Sequence, residues 1–263
     1  MSYVFDHQDA ARYEKWLSME KNRRVLDLET RVMMEMLRPV PVRRLLDIGC
    51  GTGASLEPFL NKGIELTGID PSPAMLDYAG QRLGNPVDLY QGYAEDLPFA
   101  DNSFHYAILF LTLEFCDDPG RALEEACRVA RDRVFVGILN RYSGYALRCR
   151  MARLFRNSVY SRARFLSINE VRRAFYAMLG QVPVQWRTVL QFPVAVSSVL
   201  NRLESFRILQ YSPFGGFAGI VADPIPRFQV SPLTLRCKVN QIAASNEQVA
   251  GWSRDCNDQK IQN

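Results

Sequence analysis

The run Leu45-Leu46-Asp47-Ile48-Gly49-Cys50-Gly51-Thr52-Gly53 constrains this chain more than any other segment. A buried apolar strand running straight into alternating glycines predicts a strand, a tight turn and a helix over about 53–62. Glycine tolerates positive φ and lets a ligand lie against bare backbone, while a helix start offers free N–H groups to a carboxylate or phosphate. Further on, Ile69-Asp70-Pro71 ends a second apolar run. That puts a carboxylate at the carboxyl edge of the neighbouring strand, where it can take both hydroxyls of a ribose. The two features together predict a nucleoside site.

The surrounding pattern predicts a doubly wound α/β fold with a mostly parallel sheet of seven strands. One or two helices are expected between residues 9 and 37, closed by Pro39 and Pro41. Strands are expected at Arg44–Ile48, Ile64–Ile69, Val87–Gln91, Phe104–Leu111 and Arg133–Leu139, with helices near 53–62, 73–82 and 119–130 between them. After Asn140 the rhythm breaks into a basic helical insertion, then a helix over about Ile168 to Leu179. Val182–Phe192 and Gly215–Ala222 read as two last strands, antiparallel, around a helix near 195–209. Residues 1–225 are read as one domain, and 226–263 as a partly disordered tail.

Two cofactors suit such a turn, because Gly49, Gly51 and Ala54 also satisfy the looser G-x-G-x-x-G/A dinucleotide pattern. Asp47 separates them: a carboxylate just before the turn repels a pyrophosphate but suits the cationic amino group and sulfonium of S-adenosylmethionine (SAM). With Gly53, the turn reads G-x-G-x-G. The segments LLDIGCGTG, GIDPSPAMLDYA and GYAEDLPFADNSF resemble those of the class I SAM-dependent methyltransferases, in the group that includes the ubiquinone and menaquinone biosynthesis enzymes. The resemblance spans roughly residues 5 to 140.

What the resemblance implies is a Rossmann-like methyltransferase fold with SAM as cofactor. Gly49, Cys50, Gly51, Thr52 and Gly53 would line its methionine part, with Leu111 close by and Asp47 beneath, either touching the cofactor or anchoring the turn by accepting its backbone N–H groups. Asp70 would hold the ribose. Pro71 and Met75 would flank the adenine on one side, and Tyr93, Ala94, Glu95 and Asp96 on the other. Phe5, Tyr13 and Trp16 match a leading aromatic pattern that covers the methionine end, although Tyr13 and Trp16 are also spaced as ordinary core residues of a helix. The sequence departs from the group at His105, where relatives carry Asp, at Leu113-Glu114, where they carry a His pair, and at Arg131-Asp132-Arg133, where they carry a Pro-Gly-Gly turn. These departures leave the acceptor open.

His105 begins an apolar strand and is read as a satisfied edge histidine rather than a base. Glu114 ends an apolar run at the carboxyl edge and is read either as a solvated loop carboxylate or as a group that deprotonates an acceptor or holds a cationic one. The six cysteines, without a C-x-x-C pair, and the two histidines argue against a zinc or disulfide framework.

Net charge is +4 over 263 residues, yet Arg141 to Arg173 holds nine arginines and one acid, Glu170. A helix over Ser143–Asn157 would gather Leu147, Met151, Leu154 and Phe155 on one face, with Arg150, Arg153 and Arg156 elsewhere. Three uses are open for it: a lid over an anionic or lipid-like acceptor, a contact with an anionic membrane surface, or a solvated face. Nucleic acid is disfavoured, since no aromatic and basic interleaving accompanies the charge. The start lacks the features of a signal peptide and no long apolar run occurs, so a cytoplasmic location is expected. The functional expectation is methyl transfer from SAM to a small molecule. A SAM-binding protein without transfer activity and a nucleotide-dependent oxidoreductase stand as alternatives.

Overall fold

Why the chain builds a sheet is visible in its strand interiors: Leu45, Leu46, Ile48, Ala107, Ile108, Leu109, Val134, Phe135, Val136 and Ile138 are all buried, as strands covered on both faces require. A computed structural model describes residues 4–144, 146, 163–190 and 210–224. Two helices lead, α1 (His7–Leu17) and α2 (Glu20–Leu37). They are followed by β1 (Arg44–Ile48), β2 (Glu65–Asp70), α3 (Pro73–Leu83), β3 (Val87–Gln91), β4 (Phe104–Phe110), α4 (Pro119–Val129), β5 (Ala130–Leu139), α5 (Ile168–Leu179), β6 (Val184–Val189) and β7 (Phe217–Ala222). The seven-stranded sheet has the order β3-β2-β1-β4-β5-β7-β6. Strands β1 to β5 pair in parallel, and β7 runs antiparallel to β5 and β6. The expected fold class is therefore the one observed, including the two antiparallel strands.

Each face carries its own apolar layer. Helices α4 and α5 bring Leu123, Ala126, Val171 and Phe175 against one side of the sheet, and α2 and α3 bring Val32, Met33, Met36, Ala79 and Leu83 against the other. Local caps set the helix starts. Asp6 and Ser167 form capping boxes with Asp9 and Glu170, and the Ser72 and Asp118 side chains accept the first free N–H groups of α3 and α4.

The expected helix over 53–62 is corrected. The glycine turn leads into further turns and one 3₁₀ turn at Glu57–Phe59. Pro58 lacks the N–H that a helix would direct at Ala54, and Asn61 at φ 61° turns the chain away. No helix dipole therefore stands behind the glycines. The helix expected near 195–209, Phe192, the 226–263 tail, Arg150, Arg153 and Arg156, and most of the proposed 143–157 helix lie outside the described residues.

Two glycines paired across β5 and β7, Gly137 and Gly219, make room for phenylalanine rings on either side. A Cβ on Gly137 would come within 2.7 Å of Phe217, and one on Gly219 within 2.9 Å of Phe135 and 3.0 Å of Val32. Overpacking of this kind costs about 1–3 kcal/mol. Gly219→Val is expected to lower the thermal midpoint by roughly 2–10 °C, read by circular dichroism, and an unchanged midpoint would show that the rings yield.

Candidate active site

The site lies where β1 and β4 leave the middle of the sheet in opposite directions, the crevice where open α/β sheets gather ligands. Gly49, Gly51 and Gly53 have φ of 74°, 52° and 79°, so all three occupy the left-handed region. Gly49 is also hemmed in: a Cβ there would sit 2.3 Å from the Thr112 methyl, whose hydroxyl donates to the Ile48 carbonyl at 2.8 Å. Above Gly51, by contrast, the space is open. Cys50 is buried with its sulfur against Gly68 and offers the site only backbone.

Asp70 accepts the Gly51 N–H on Oδ2 and the Ser72 N–H on Oδ1, both at 2.9 Å. Gly49 N–H donates to the Ile69 carbonyl at 2.7 Å. The Ser72 hydroxyl, which caps α3 through the Met75 N–H, donates to the Phe5 carbonyl at 2.6 Å. That bond ties the leading segment to the site. Phe5 and Tyr13 pack with Ala10, Ala74 and Met75, and Tyr13 stacks on Trp16 at 5.9 Å. The Arg82 guanidinium holds both Glu14 carboxylate oxygens at 2.6 Å, locking α1 to α3.

At the adenine end expected from the sequence, Ala94 is buried while Tyr93 and Asp96 are exposed. Glu95 Oε1 accepts the Asp117 N–H at 3.0 Å and so ties this loop to the one after β4. Pro71 presents its carbonyl to the Gln91 amide at 3.3 Å. Leu111 takes φ 57°, a strained value for a side-chain-bearing residue, and its N–H donates to the Gly137 carbonyl at 2.9 Å. His105 lies at the opposite edge of the sheet, where Nδ1 accepts the Arg44 N–H at 3.1 Å.

Two placements differ from sequence expectation. Glu114 is no solvated loop carboxylate: only 2% of it is exposed, Oε1 accepts the Leu139 N–H at 2.6 Å, and Oε2 is buried without a partner. Asp47 accepts the Ser55 hydroxyl on Oδ2 rather than turn N–H groups, and its Oδ1 is likewise buried and unpartnered, as is the Thr52 hydroxyl. A third acid, Glu29 of α2, was not singled out by the sequence, yet it is 4% exposed and coupled to Glu114. Its signal was present: Glu29, Val32, Met33 and Met36 follow i, i+3, i+4, i+7 spacing, which places an acid on the buried stripe.

These residues fit SAM. Orphaned buried oxygens of Asp47 and Thr52 stand at the glycine turn, and buried polar atoms without partners are costly unless a ligand supplies them. With carboxylates and no helix dipole at the turn, the charge suits an ammonium and a sulfonium, not a pyrophosphate. A family model described as a methyltransferase domain matches residues 46–136. An uncharacterised protein of Methanocaldococcus jannaschii is 30% identical over 224 residues, covering 84% of this chain and 99% of its own. The chain belongs to the class I SAM-dependent methyltransferases.

Other members show how widely the fold is used. A demethylmenaquinone methyltransferase of Renibacterium salmoninarum is 36% identical over 115 residues, 44% of this chain and 46% of that protein. The match thus spans about half of that relative. A solved SAM-dependent methyltransferase from Thermotoga maritima, described as a possible histamine N-methyltransferase, superposes with a TM-score of 0.65 at 26% identity, covering 83% of this chain and 97% of that one. No helix among the described residues is long and apolar enough to cross a membrane.

Three acids are buried at or near the site, Asp47, Glu29 and Glu114. Burial pushes the Asp47 carboxyl up to about 7, with the Ser55 hydrogen bond opposing. Burial and then the Glu114 charge push Glu29 up to about 8, and burial pushes Glu114 up to about 7. Burial, followed by the Glu29 charge, also raises the Tyr13 phenol. Acids held above their unfolded values bind extra protons in the folded state. They stabilise the fold below the unfolded values, and that stability is lost as pH rises through the folded ones. Without SAM, the melting temperature is expected to fall by on the order of 5 °C between pH 5 and pH 8. Glu29→Gln, neutral throughout, should flatten the fall. A melting temperature that rises over this window, or falls equally in the variant, would contradict the assignment.

Proposed function

We propose that the protein moves a methyl group from SAM to a small-molecule acceptor that enters above the carboxyl ends of β4 and β5. The observation that carries this is the unpartnered buried oxygen of Asp47 beside a glycine turn with open space above Gly51, next to the Asp70 clamp. Asp47 Oδ1 would accept from the α-ammonium, the Thr52 hydroxyl from the methionine end, and Asp70 would take ribose hydroxyls on lone pairs its two backbone donors leave free. Met75 and Pro71 would face one side of the adenine, and the 93–96 loop the other. SAM, when bound, supplies a methyl already made electrophilic by its sulfonium.

The protein's own contribution is placement and dryness. Holding two reactants in line supplies about 7–11 kcal/mol of barrier lowering in favourable systems. Helix α1 is locked by the pairing of Glu14 with Arg82 and by the bond from Ser72 to Phe5, and from it Tyr13 and Trp16 would cover the cofactor end and exclude water. Relatives named for quinone substrates support an acceptor with an apolar body, as does the apolar cluster of Leu139, Ala146 and Phe165 with Leu111.

Calorimetric titration with SAM, its demethylated product S-adenosylhomocysteine, and NADH tests the reading. Both SAM and its product are expected to bind, with NADH silent. Asp70→Ala is expected to weaken SAM by roughly tenfold to a hundredfold, through the lost ribose bonds and the loosened turn. Binding of NADH in place of SAM would overturn the proposal. SAM binding without transfer to any acceptor in a broad screen would reduce the protein to a SAM-binding module.

A further inference from the structure

Glu29 comes from α2 and Glu114 from just past β4, and both are buried. Helix α2 sets its Leu37 carbonyl on Arg133 and Val32 over Gly219, the partner of Gly137, which carries Glu29 along β5 toward the end where the Leu139 N–H holds Glu114. Among the described residues no cation pairs with either. Glu114 is anchored through Oε1 by the Leu139 N–H, while Oε2, fully buried, has no partner. Two buried carboxyls are costly unless each is given a cation or keeps a proton. The SAM ammonium meets its carboxylate at Asp47, so Glu29 and Glu114 are not needed for it.

Apolar groups adjoin the pair. Leu139, whose N–H holds Glu114, clusters with Ala146, Phe165 and Leu111. The arginine-rich stretch does not supply the missing cation where it is described. Arg141 turns to Glu170 at 2.9 Å and to the Phe165 carbonyl at 2.9 Å, Arg172 lies over the Tyr176 ring, and Arg164, whose N–H donates to the Glu114 carbonyl at 2.9 Å, is exposed. The described polarity beside the acceptor position is thus acidic, although the net charge of residues 141–173 is strongly basic.

We infer that the acceptor is a primary or secondary amine with an apolar body, its ammonium held by Glu114 Oε2 and Glu29, and that the protein methylates nitrogen. This rests on the methyl-transfer reading above. The ammonium gives one proton to the Glu114 carboxylate, and the freed nitrogen lone pair forms the N–C bond to the methyl. The C–S bond breaks with its electron pair on sulfur, leaving S-adenosylhomocysteine and the methylated ammonium.

The test is calorimetry on the full chain saturated with S-adenosylhomocysteine, with benzylamine, 2-phenylethylamine and hexylamine each set against the alcohol of the same shape. At least one amine is expected to bind about tenfold or more tightly than its alcohol, the scale of one hydrogen bond to a charged group. Glu114→Gln and Glu29→Gln should shrink that preference to roughly threefold or less with S-adenosylhomocysteine affinity retained. No preference for any amine in the wild type overturns the inference, and this arm needs no variant to fold. So does a preference that survives both substitutions. A loss of S-adenosylhomocysteine affinity in the variants without an amine preference would assign the pair to the cofactor instead. Failure of the wild type to bind S-adenosylhomocysteine at all would overturn the methyl-transfer reading itself.

Discussion

A single buried carboxylate holds the centre of this molecule together. Asp70 ends β2, yet one of its oxygens takes the Gly51 N–H of the turn after β1 and the other the Ser72 N–H that precedes α3. Bonds from ionised carboxylates to backbone N–H groups are about twice as strong as neutral ones. Here they pin two strand ends, a glycine turn and a helix start to one point. Through Ser72 the same point also reaches Phe5, so the segment leading into α1 is hung from it. Burial raises the Asp70 carboxyl, and the two backbone bonds pull the other way.

Around that point the site stores electrostatic stress. Asp47, Glu29 and Glu114 are buried at the carboxyl edge of the sheet, and the apolar packing that builds the crevice also denies them water. In the free protein these acids keep their protons well into the neutral range. A cationic ligand at any of them would relieve it, which would link ligand binding, proton release and stability. Arg82 illustrates the contrast, because it is answered by two carboxylates, Glu14 and Glu57, and serves the architecture.

Much of the architecture was legible in the chain itself. The strands at Arg44–Ile48 and Val87–Gln91 and the helix at Ile168–Leu179 have the expected bounds: β1 is a buried apolar run, α5 a capped amphipathic helix, and β3 an edge strand buried only at Val87. The helix expected after the glycine turn was not there, since Pro58 and the left-handed Asn61 override the apolar spacing. Within the site, the motif residues were readable because a glycine turn and an acid at a strand end are local patterns. Glu29 was not, because an acid within a helix looks like a solvated residue until the helix is docked.

By itself the sequence determined the α/β class, the parallel strand succession, the glycine turn with Asp47 before it and Asp70 after it, and with them the family and its cofactor. These depend on spacings of a few residues, which hydrogen-bond geometry and side-chain period translate directly into shape. Only the tertiary structure decided that Glu114 is buried rather than solvated and that Glu29, on α2, is buried as well. The physical reason is that the state of a charge is set by what surrounds it. Its surroundings come from segments far apart in the chain, brought together only when both faces of the sheet are covered.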